Sequence, residues 1–400
     1  MMVAPLKFVA LHLGASNGCQ KKDSVDEKLV KSVCERVMLD KVQDEETTQC
    51  DNKFCRAFLE SNGTKSGSSS HDAHVTARDC VVRLVRLLEN HSKLNCGFGS
   101  NLNIRGEIEC DASLMCDDDM IWTGVGAVQG CRNPIVLAKS LHDHFKIARP
   151  LNLIQPNLLV ASGAKEWMLK HCPKIYTGKS KLITAKAFES YQKFKSRYDK
   201  ELNCRTLKPE KIAMSNDTAL DTVGAIVMDQ EGYLATAVSS GGIILKHEGR
   251  LGQAAVPGAG CWAQDSIAVS CTGVGEYLTL SMFAKTIHES LRKCLHERRE
   301  QAETADHCDR FRDSLASCFK DLTEAPYLLH VPQQERYAGF ISVLRDNSPC
   351  ESNGQIYLSY GHNTSSLCIG YMTSEDKEAH SVASWFEVGS GMAQVNTIKI

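Results

Sequence analysis

The segment LDTVGAIVMD (220–229), followed by YLATAVSS (233–240), contains the strongest strand pattern in the chain. Both runs consist of β-branched and small apolar residues, and the turn residues QEG separate them, so they predict a β-hairpin. The polar sequence KPEKIAMSNDTALD (208–221) has no periodic apolar pattern and predicts an exposed linker. A hydroxyl residue, Thr222, therefore stands where a polar linker meets a buried strand.

This junction suits a particular kind of nucleophile. A threonine hydroxyl reacts slowly near neutral pH unless a base lies beside it. Cleavage of the Asp221–Thr222 bond would free the α-amine of Thr222, and because an α-amine has a pKa of about 8, the residue would then carry its own base. Taken alone, the junction is better explained as an ordinary transition from linker to strand.

Three motifs downstream supply partners for such a nucleophile. The segment SSGG (239–242) ends the second strand, so the predicted hairpin would bring Ser240 back beside Thr222. In GRLGQ (249–253), Arg250 lies between glycines, and an open guanidinium suits the capture of a carboxylate. In CTGVGE (271–276), small residues end a strand, and their backbone N–H groups are suited to stabilise an oxyanion.

In order and spacing, these motifs resemble the type 2 asparaginase family of N-terminal nucleophile hydrolases, and within it the threonine aspartase (taspase) branch. The sequence departs from the family at HLGAS (12–16), where His-Ala-Gly-Ala-Gly is usual, and at Asn95-Cys96-Gly97, where Asn-Ala-Gly is usual. The similar segments cover most of the chain: NCGFGSNLNIRGEIECDASLM (95–115), GVGAVQGCRNPI (124–135), LDTVGAIVMD (220–229), AVSSGG (237–242), KHEGRLGQAA (246–255) and CTGVGE (271–276).

The resemblance implies an α+β fold, a four-layer αββα sandwich made as an inactive precursor that cleaves itself before Thr222. Residues 1–221 and 222–400 would be two subunits of one domain, and a mobile basic linker at about 178–221 would end the first. Between Lys179 and Lys211 there are ten Lys or Arg residues and four Asp or Glu residues, so this linker carries a local positive excess.

The resemblance also implies the roles of the site residues. Thr222 is nucleophile and base, Ser240 supports its hydroxyl, Arg250 grips the substrate carboxylate, Thr272 and Gly273 form the oxyanion hole, and Asn95 has a supporting role.

Two residues indicate the substrate. Asparaginases and isoaspartyl peptidases of the family bind a free α-amine with an Asp three residues after the Arg, and here that position is Gln253. A neutral amide suits a peptide N–H better than an ammonium. The cleavage site itself is Asp221-Thr222. We therefore expect an endopeptidase that cuts after an internal Asp; the alternatives are an L-asparaginase or isoaspartyl peptidase of the same family and, less favoured, a non-catalytic binding module.

Composition excludes several classes of protein. The chain has 46 Lys plus Arg and 48 Asp plus Glu, a balance that argues against a polybasic nucleic-acid coat. No apolar run is long enough for a membrane span. The 18 cysteines include no C-x-x-C pair and predict reduced thiols.

We expect the protein in the nucleus and cytoplasm, without membrane or direct nucleic-acid contact. The resemblance implies nuclear transcription regulators as protein substrates, and a homodimer of precursors or a heterotetramer after processing.

Other motifs carry weaker alternatives, and we expect no cofactor or metal. The pairs His71/His74 and His142/His144 lack a further ligand at zinc spacing. The glycines of GVG (124–126) do not form a nucleotide-binding loop with Gly130. Cys271 lies beside Thr272 but has no general-base His in its motif, so we expect it to pack as a small apolar residue.

The apolar periodicity predicts the remaining elements. Strands are expected at 6–13, 268–273, 336–346, 355–361 and 367–373 and within EIECDASLM (107–115). Helices are expected at 24–40, 77–91, 134–148, 161–171, 276–298 and 305–320, and the middle of the basic linker (183–202) is compatible with a helix. A mobile polar segment is expected at 41–76.

Overall fold

The computed structural model describes residues 6–16, 24–39, 76–203, 222–301, 308–347, 354–387 and 393–400. The predicted polar segment at 41–76 lies outside these residues except for Thr76, as does the His71/His74 pair. Asp221, on the acyl side of the predicted cleavage site, also lies outside them.

Two β-sheets form the centre of the molecule. The eight-stranded sheet has the order β12-β11-β1-β5-β6-β2-β3-β4, and the five-stranded sheet has the order β13-β10-β9-β8-β7. Among these strands, only β3 and β4 pair in parallel. The strands are β1 (Leu6–Ser16), β2 (Cys110–Cys116), β3 (Trp122–Val128), β4 (Leu158–Val160), β5 (Val223–Asp229), β6 (Leu234–Ser240), β7 (Cys261–Gln264), β8 (Ile267–Gly273), β9 (Ala338–Asp346), β10 (Gln355–His362), β11 (Ser366–Thr373), β12 (His380–Trp385) and β13 (Gln394–Lys399).

The main helices of the described part are α1 (Ser24–Leu39), α2 (Ala77–Glu89), α3 (Pro134–Phe145), α4 (Ala161–His171), α5 (Ala185–Asn203), α6 (Gly275–Ser281), α7 (Phe283–Gln301) and α8 (Cys308–Thr323). The first three pack on the outer face of the eight-stranded sheet, and α7 and α8 pack on the outer face of the five-stranded sheet. None of the helices within the described ranges is long and apolar enough to cross a bilayer.

The apolar core has three parts, which match the spaces between four layers. One cluster fills the space between α1–α3 and the eight-stranded sheet, and a second fills the space between the five-stranded sheet and α7 and α8. The third lies between the two sheets and includes Phe8, Ile226, Val238 and Ile341. Each sheet thus buries both faces. The predicted α+β, four-layer αββα sandwich is confirmed.

Most predicted elements are present, with boundaries shifted by a few residues. The helix expected at 276–298 is wrong as one element, because Met282 adopts a left-handed conformation with φ 49° and separates α6 from α7. The expected basic linker at about 178–221 includes α5 in its first half, so residues 185–203 form a regular helix; residues 204–221 lie outside the described ranges.

The chain order interleaves the two predicted subunits. Strand β1, from the N-terminal part, lies between β5 and β11, which both follow Thr222. Strand β2 pairs with β6. Consequently the segments before and after Thr222 build one sheet together, and Thr222 itself lies at the first position before β5 in the centre of that sheet.

Candidate active site

Thr222 is buried, and its hydroxyl has two side-chain partners. Its Oγ1 donates a hydrogen bond to Ser240 Oγ at 3.1 Å, and Gln253 Nε2 donates to Oγ1 at 3.1 Å. The residue is only 3% exposed. A hydroxyl held by one acceptor and one donor has a fixed orientation, which is the preparation that a nucleophile needs.

Ser240 reaches Thr222 because β5 and β6 pair as an antiparallel hairpin. Val223 lies opposite Ser239, so the next pair along the ladder brings Thr222 and Ser240 together. The backbone N–H of Gly242 donates to Ser240 Oγ at 3.0 Å. The hairpin predicted from the sequence therefore produces the predicted contact, and the following glycine orients the serine.

Asn95 supports the turn after β6 and does not hydrogen-bond to Thr222. Its Nδ2 donates to the Gly242 carbonyl at 2.8 Å, and its own carbonyl accepts from Gly241 N at 2.8 Å. Its Oδ1 accepts from Asn101 N at 2.9 Å. Asn95 therefore fixes the backbone that orients Ser240, and its side chain lines the same cleft as Thr222.

Arg250 differs from the sequence prediction. We expected an exposed and open guanidinium, but its side chain is only 13% exposed and is already paired. Nε and Nη2 of Arg250 donate to Glu276 Oε1 and Oε2 at 2.8 and 2.6 Å, a bidentate pair. Burial opposes ionisation of Glu276, but the hydrogen bonds and charge of Arg250 hold the pKa of this carboxyl below its usual value.

The adjacent Nη1–Nη2 edge of the guanidinium faces glycines. A Cβ at Gly242 or Gly252 would lie 3.0 or 2.9 Å from Nη1, and a Cβ at Gly275 would lie 2.7 Å from Nη2. Side chains at these positions would crowd the guanidinium, so the glycines leave its Nη1–Nη2 edge accessible from the cleft. This edge has the geometry to receive a carboxylate end-on.

A buried carboxylate anchors the loop that carries Arg250. Asp111 Oδ2 accepts from Gly252 N at 2.8 Å, and Oδ1 accepts from Ala127 N at 2.9 Å. Burial raises the pKa of Asp111, with Lys246 and these amides acting in the opposite direction. The sequence motifs contain both Asp111 and Glu276, but nothing in their spacing marks either one as a site residue.

The residues predicted for the oxyanion hole end strand β8. Thr272 and Gly273 pair with Gly339 and Ala338 of β9. Gly273 has φ 139°, and a Cβ there would lie 2.5 Å from the Tyr337 carbonyl, so only glycine fits this backbone. Gly273 lines the cleft, and Thr272 is completely buried beside it.

The cleft encloses about 230 Å³ of empty space, a figure that includes open solvent. Among the described residues that line it, Arg250 is the one charged side chain; the lining consists of Asn95, Thr222, Ser240, Gly242, Ile243, Arg250, Gln253, Gly273 and Gly275. The structure thus brings Thr222, Ser240, Asn95, Gln253, Arg250 and Gly273 to one cleft. Their catalytic roles stay predictions.

The weaker motifs form other contacts. His142 Nε2 lies 3.2 Å from Asp119 Oδ2, and His144 Nδ1 lies 2.7 Å from the Ser140 carbonyl. Within the described residues there is no cluster of three His, Cys, Asp or Glu side chains suited to a metal ion. Burial raises the pKa of the Cys271 thiol far above its usual value, which disfavours a reactive thiolate.

Comparisons with known proteins show the family of the chain. A family model described as asparaginase matches residues 30–311. An isoaspartyl peptidase/L-asparaginase of Mus musculus is 34% identical over 204 residues, which are 50% of this chain and 56% of that protein. The human isoaspartyl peptidase/L-asparaginase is 36% identical over 204 residues, 50% of this chain and 59% of that protein. A plant-type L-asparaginase of Pyrococcus horikoshii is 31% identical over 222 residues, 54% of this chain and 67% of that protein.

The chain spans a little more than half the length of the mouse and human relatives that it matches. The family match covers well over half of the chain and includes every predicted site residue. The chain belongs to the type 2 asparaginase family, a family of N-terminal nucleophile hydrolases.

Proposed function

We propose that the protein is a self-processing threonine endopeptidase that cleaves substrate proteins after Asp. One observation carries the proposal: the Thr222 hydroxyl is held between Ser240 and Gln253 in a cleft where Arg250 is the one charged group among the described lining residues. A nucleophile beside a single cation suits a substrate in which the reacting carbonyl is close to a carboxylate.

Processing comes first in this mechanism. Thr222 Oγ attacks the Asp221 carbonyl carbon, the bond between Asp221 and the Thr222 nitrogen breaks, and the hydroxyl proton goes to the departing amine. Water then hydrolyses the resulting ester, which leaves a carboxylate on Asp221 and restores the Thr222 hydroxyl. The product has a free α-amine on Thr222, the base that the hydroxyl needs.

The same groups act on a substrate chain. The Thr222 amine takes the hydroxyl proton as Oγ attacks the main-chain carbonyl carbon of the substrate Asp, and the oxyanion forms near Thr272 and Gly273. The amine returns the proton to the leaving nitrogen, and water clears the acyl-enzyme. Loss of one oxyanion donor in such a site typically lowers the rate by ~10²–10³-fold.

Gln253 supports an internal Asp as the preferred substrate position. Its amide nitrogen donates to Thr222 Oγ1, so Gln253 already contacts the nucleophile. None of the cleft-lining residues in the described ranges is a carboxylate that could pair with a free α-ammonium. A peptide N–H in that place needs no such partner, whereas a free amino acid would bury an unpaired charge.

A second candidate is an L-asparaginase or isoaspartyl peptidase. The names of the relatives favour it, and Glu276 supplies a half-exposed carboxylate next to Arg250, although outside the cleft lining. In this alternative, Arg250 binds the α-carboxylate of a small substrate and Glu276 lies near its amine.

One assay separates the two candidates. Purified protein and its Thr222→Ala variant are incubated with a peptide that has an internal Asp, with the same peptide carrying Asn there, with a β-aspartyl dipeptide and with free asparagine. We expect Thr222-dependent cleavage of the Asp peptide alone. Ammonia release from asparagine or cleavage of the β-aspartyl dipeptide, with the Asp peptide intact, would establish the second candidate instead.

We also propose that the substrates are nuclear transcription regulators, that the protein occurs in nucleus and cytoplasm, and that two processed units associate. The exposed basic side chains of α5 support nuclear entry. Replacing Lys193, Arg197 and Lys200 with Gln should reduce nuclear accumulation without loss of peptide cleavage.

Light scattering during gel filtration measures the assembly of the processed protein. A monomeric mass for the processed protein would reject the proposed association of two units.

A further inference from the structure

A hydrogen bond between His12 and Ser270 crosses the interface between the two sheets. His12 belongs to β1 of the eight-stranded sheet, and Ser270 belongs to β8 of the five-stranded sheet. His12 Nε2 lies 3.0 Å from Ser270 Oγ, and both residues are completely buried. This pair therefore makes a directional contact across an interface that is mostly apolar.

The pair lies directly behind the candidate site. His12 is opposite Gly224, two residues after Thr222, and the backbone of Thr222 lies beside the imidazole. Ser270 is two residues before Thr272 on the same strand. One end of the hydrogen bond is thus next to the nucleophile strand, and the other end is on the strand of the oxyanion residues.

Gly224 shows that the local sequence is adapted to this pair. A Cβ on Gly224 would overlap both Ser270 Oγ and His12 Nε2. Its φ is not positive, so the strand conformation itself does not require glycine. The missing side chain instead leaves the space through which the two partners meet.

His12 has no charge to contribute to catalysis near neutral pH. Burial lowers the pKa of His12 to about 3, with only a smaller opposing effect from the Thr222 backbone. The imidazole is therefore uncharged near neutral pH, and its Nε2 is the ring nitrogen that contacts Ser270 Oγ. These properties suit a residue that holds a geometry and does not transfer the reacting proton.

We propose that His12 and Ser270 are positioning residues that fix the Thr222 nucleophile relative to the oxyanion donors at Thr272 and Gly273. The need arises because nucleophile and donors lie on different sheets, whose apolar contacts are not directional. Thr236 makes a second polar contact across the same interface, donating to the Val269 carbonyl at 3.0 Å. A displacement of about 1 Å in such a site can lower the rate by ~10²-fold.

This inference rests on the proposed function, and the fold provides a matched control. His362 on β10 and Ser384 on β12 form a second buried His–Ser pair between the two sheets, with Nε2 and Oγ 2.8 Å apart. Neither residue lines the cleft. Ser270→Ala and Ser384→Ala therefore remove the same chemical contact, one behind the site and one away from it.

The experiment compares these two variants on the Asp-containing peptide. Rates are normalised to the amount of fragment that begins at Thr222, so that slow processing is not read as slow catalysis. We expect similar losses of melting temperature in both variants, but at least a tenfold lower kcat only in Ser270→Ala. Its KM should stay within threefold, because Arg250 is untouched. Equal kcat values in the two variants would overturn the inference.

If Ser270→Ala does not fold, a second pair of variants tests the positioning role of the His12–Ser270 contact. His12→Gln places an amide nitrogen near the position of Nε2, and His12→Leu removes the polar contact. We expect His12→Gln to recover most of the kcat that His12→Leu loses; equal kcat values would contradict the proposal. If the unaltered protein cleaves none of the substrates, the proposed function fails. If it is active and only the comparisons fail, this inference alone is rejected.

Discussion

At the scale of single residues, the Arg250–Glu276 pair decides how a substrate carboxylate can bind. Glu276 uses the Nε and Nη2 side of the guanidinium from the solvent side, and glycines border the Nη1–Nη2 edge. We interpret Glu276 as a residue that holds Arg250 in place and does not occupy the substrate position. The opposite interpretation, a carboxylate that competes with the substrate, predicts the opposite change in KM.

Replacement of Glu276 by Gln tests this interpretation. The variant keeps the shape of the side chain but removes a charge-assisted bidentate contact. We expect KM for the Asp peptide to rise about tenfold, roughly the effect of losing one charge-assisted contact that holds Arg250 in place. We expect kcat to stay within about threefold. Glu248→Gln is the control, because Glu248 pairs with Arg105 at the surface at 3.0 Å. A lower KM in Glu276→Gln would mean that Glu276 competes with the substrate.

A second prediction at this scale concerns Gln253. Replacement by Asp removes the donor to Thr222 Oγ1 and places a carboxylate in the cleft. We expect cleavage of the Asp peptide to fall at least tenfold, roughly the effect of one lost hydrogen bond to a reacting group, and hydrolysis of free asparagine to rise. Parallel assays of peptide cleavage and ammonia release measure both. Unchanged peptide cleavage would mean that Gln253 does not determine substrate specificity.

At the scale of elements, Glu89 joins three of them beneath the site. It ends α2, accepts from Ser239 Oγ of β6 at 2.7 Å, and accepts from Ile135 N in the first turn of α3 at 3.0 Å. Burial raises the pKa of Glu89 to about 8, although these donors and Asn133 act against it. Ser239 precedes Ser240, so this junction supports the strand end that contacts the nucleophile.

The raised pKa of Glu89 predicts the direction in which stability changes with pH. The folded state keeps its proton up to about pH 8, whereas an unfolded Glu releases it near pH 4.5. The folded state therefore binds more protons between these values, and stability falls as the pH rises through them. In the Thr222→Ala background, Glu89→Gln should reduce the fall in the free energy of unfolding, measured with urea, between pH 5 and pH 8. Glu166→Gln, at an exposed position, should leave it unchanged; equal slopes in all variants would refute the prediction.

Sequence patterns predicted the elements with strong apolar periodicity but missed those determined by contacts. Strand β3 has glycine at two of its seven positions, and a Cβ on its Gly126 would overlap Leu251, so its glycines reflect close packing that no local pattern records. The break at Met282 occurs without Gly or Pro. Edge strands β12 and β13 are only partly buried and show weak alternation.

The same distinction applies to the site. Short motifs located Thr222, Ser240, Arg250 and Gly273, because small residues at strand ends leave a readable signature. The pairing of Arg250 with Glu276 joins residues 26 positions apart. The contact of His12 with Ser270 joins residues 258 positions apart. Such contacts depend on the sheet arrangement, so the sequence indicated the candidate nucleophile and its neighbour Ser240 but not the pairs formed by Arg250 and His12.

At the scale of the whole molecule, the division at residue 222 is not a boundary of the fold. Strand β1 pairs on both sides with strands from the second part, and β2 pairs with β6. No two of the thirteen cysteines that the structure describes form a disulfide with each other, so no such bond among them links the two parts. Backbone ladders and shared core would hold the fragments together after a cut.

This arrangement predicts the behaviour of the processed protein. Under reducing, non-denaturing conditions the two fragments should remain in one complex in native mass spectrometry. They should separate only in denaturant, because separation breaks three strand ladders and opens the core. A parallel sample without reductant is the control for disulfides between cysteines. Dissociation of the fragments in buffer would contradict the interleaved sheet.

The most direct test of the central claim is the intact mass and N-terminal sequence of the purified protein and of its Thr222→Ala variant. We predict two fragments for the unaltered chain, the second beginning Thr222-Val223-Gly224, and one unbroken chain for Thr222→Ala. An unaltered chain that stays unbroken under all conditions, or a new N-terminus at another residue, would contradict the assignment of Thr222 as the self-released nucleophile.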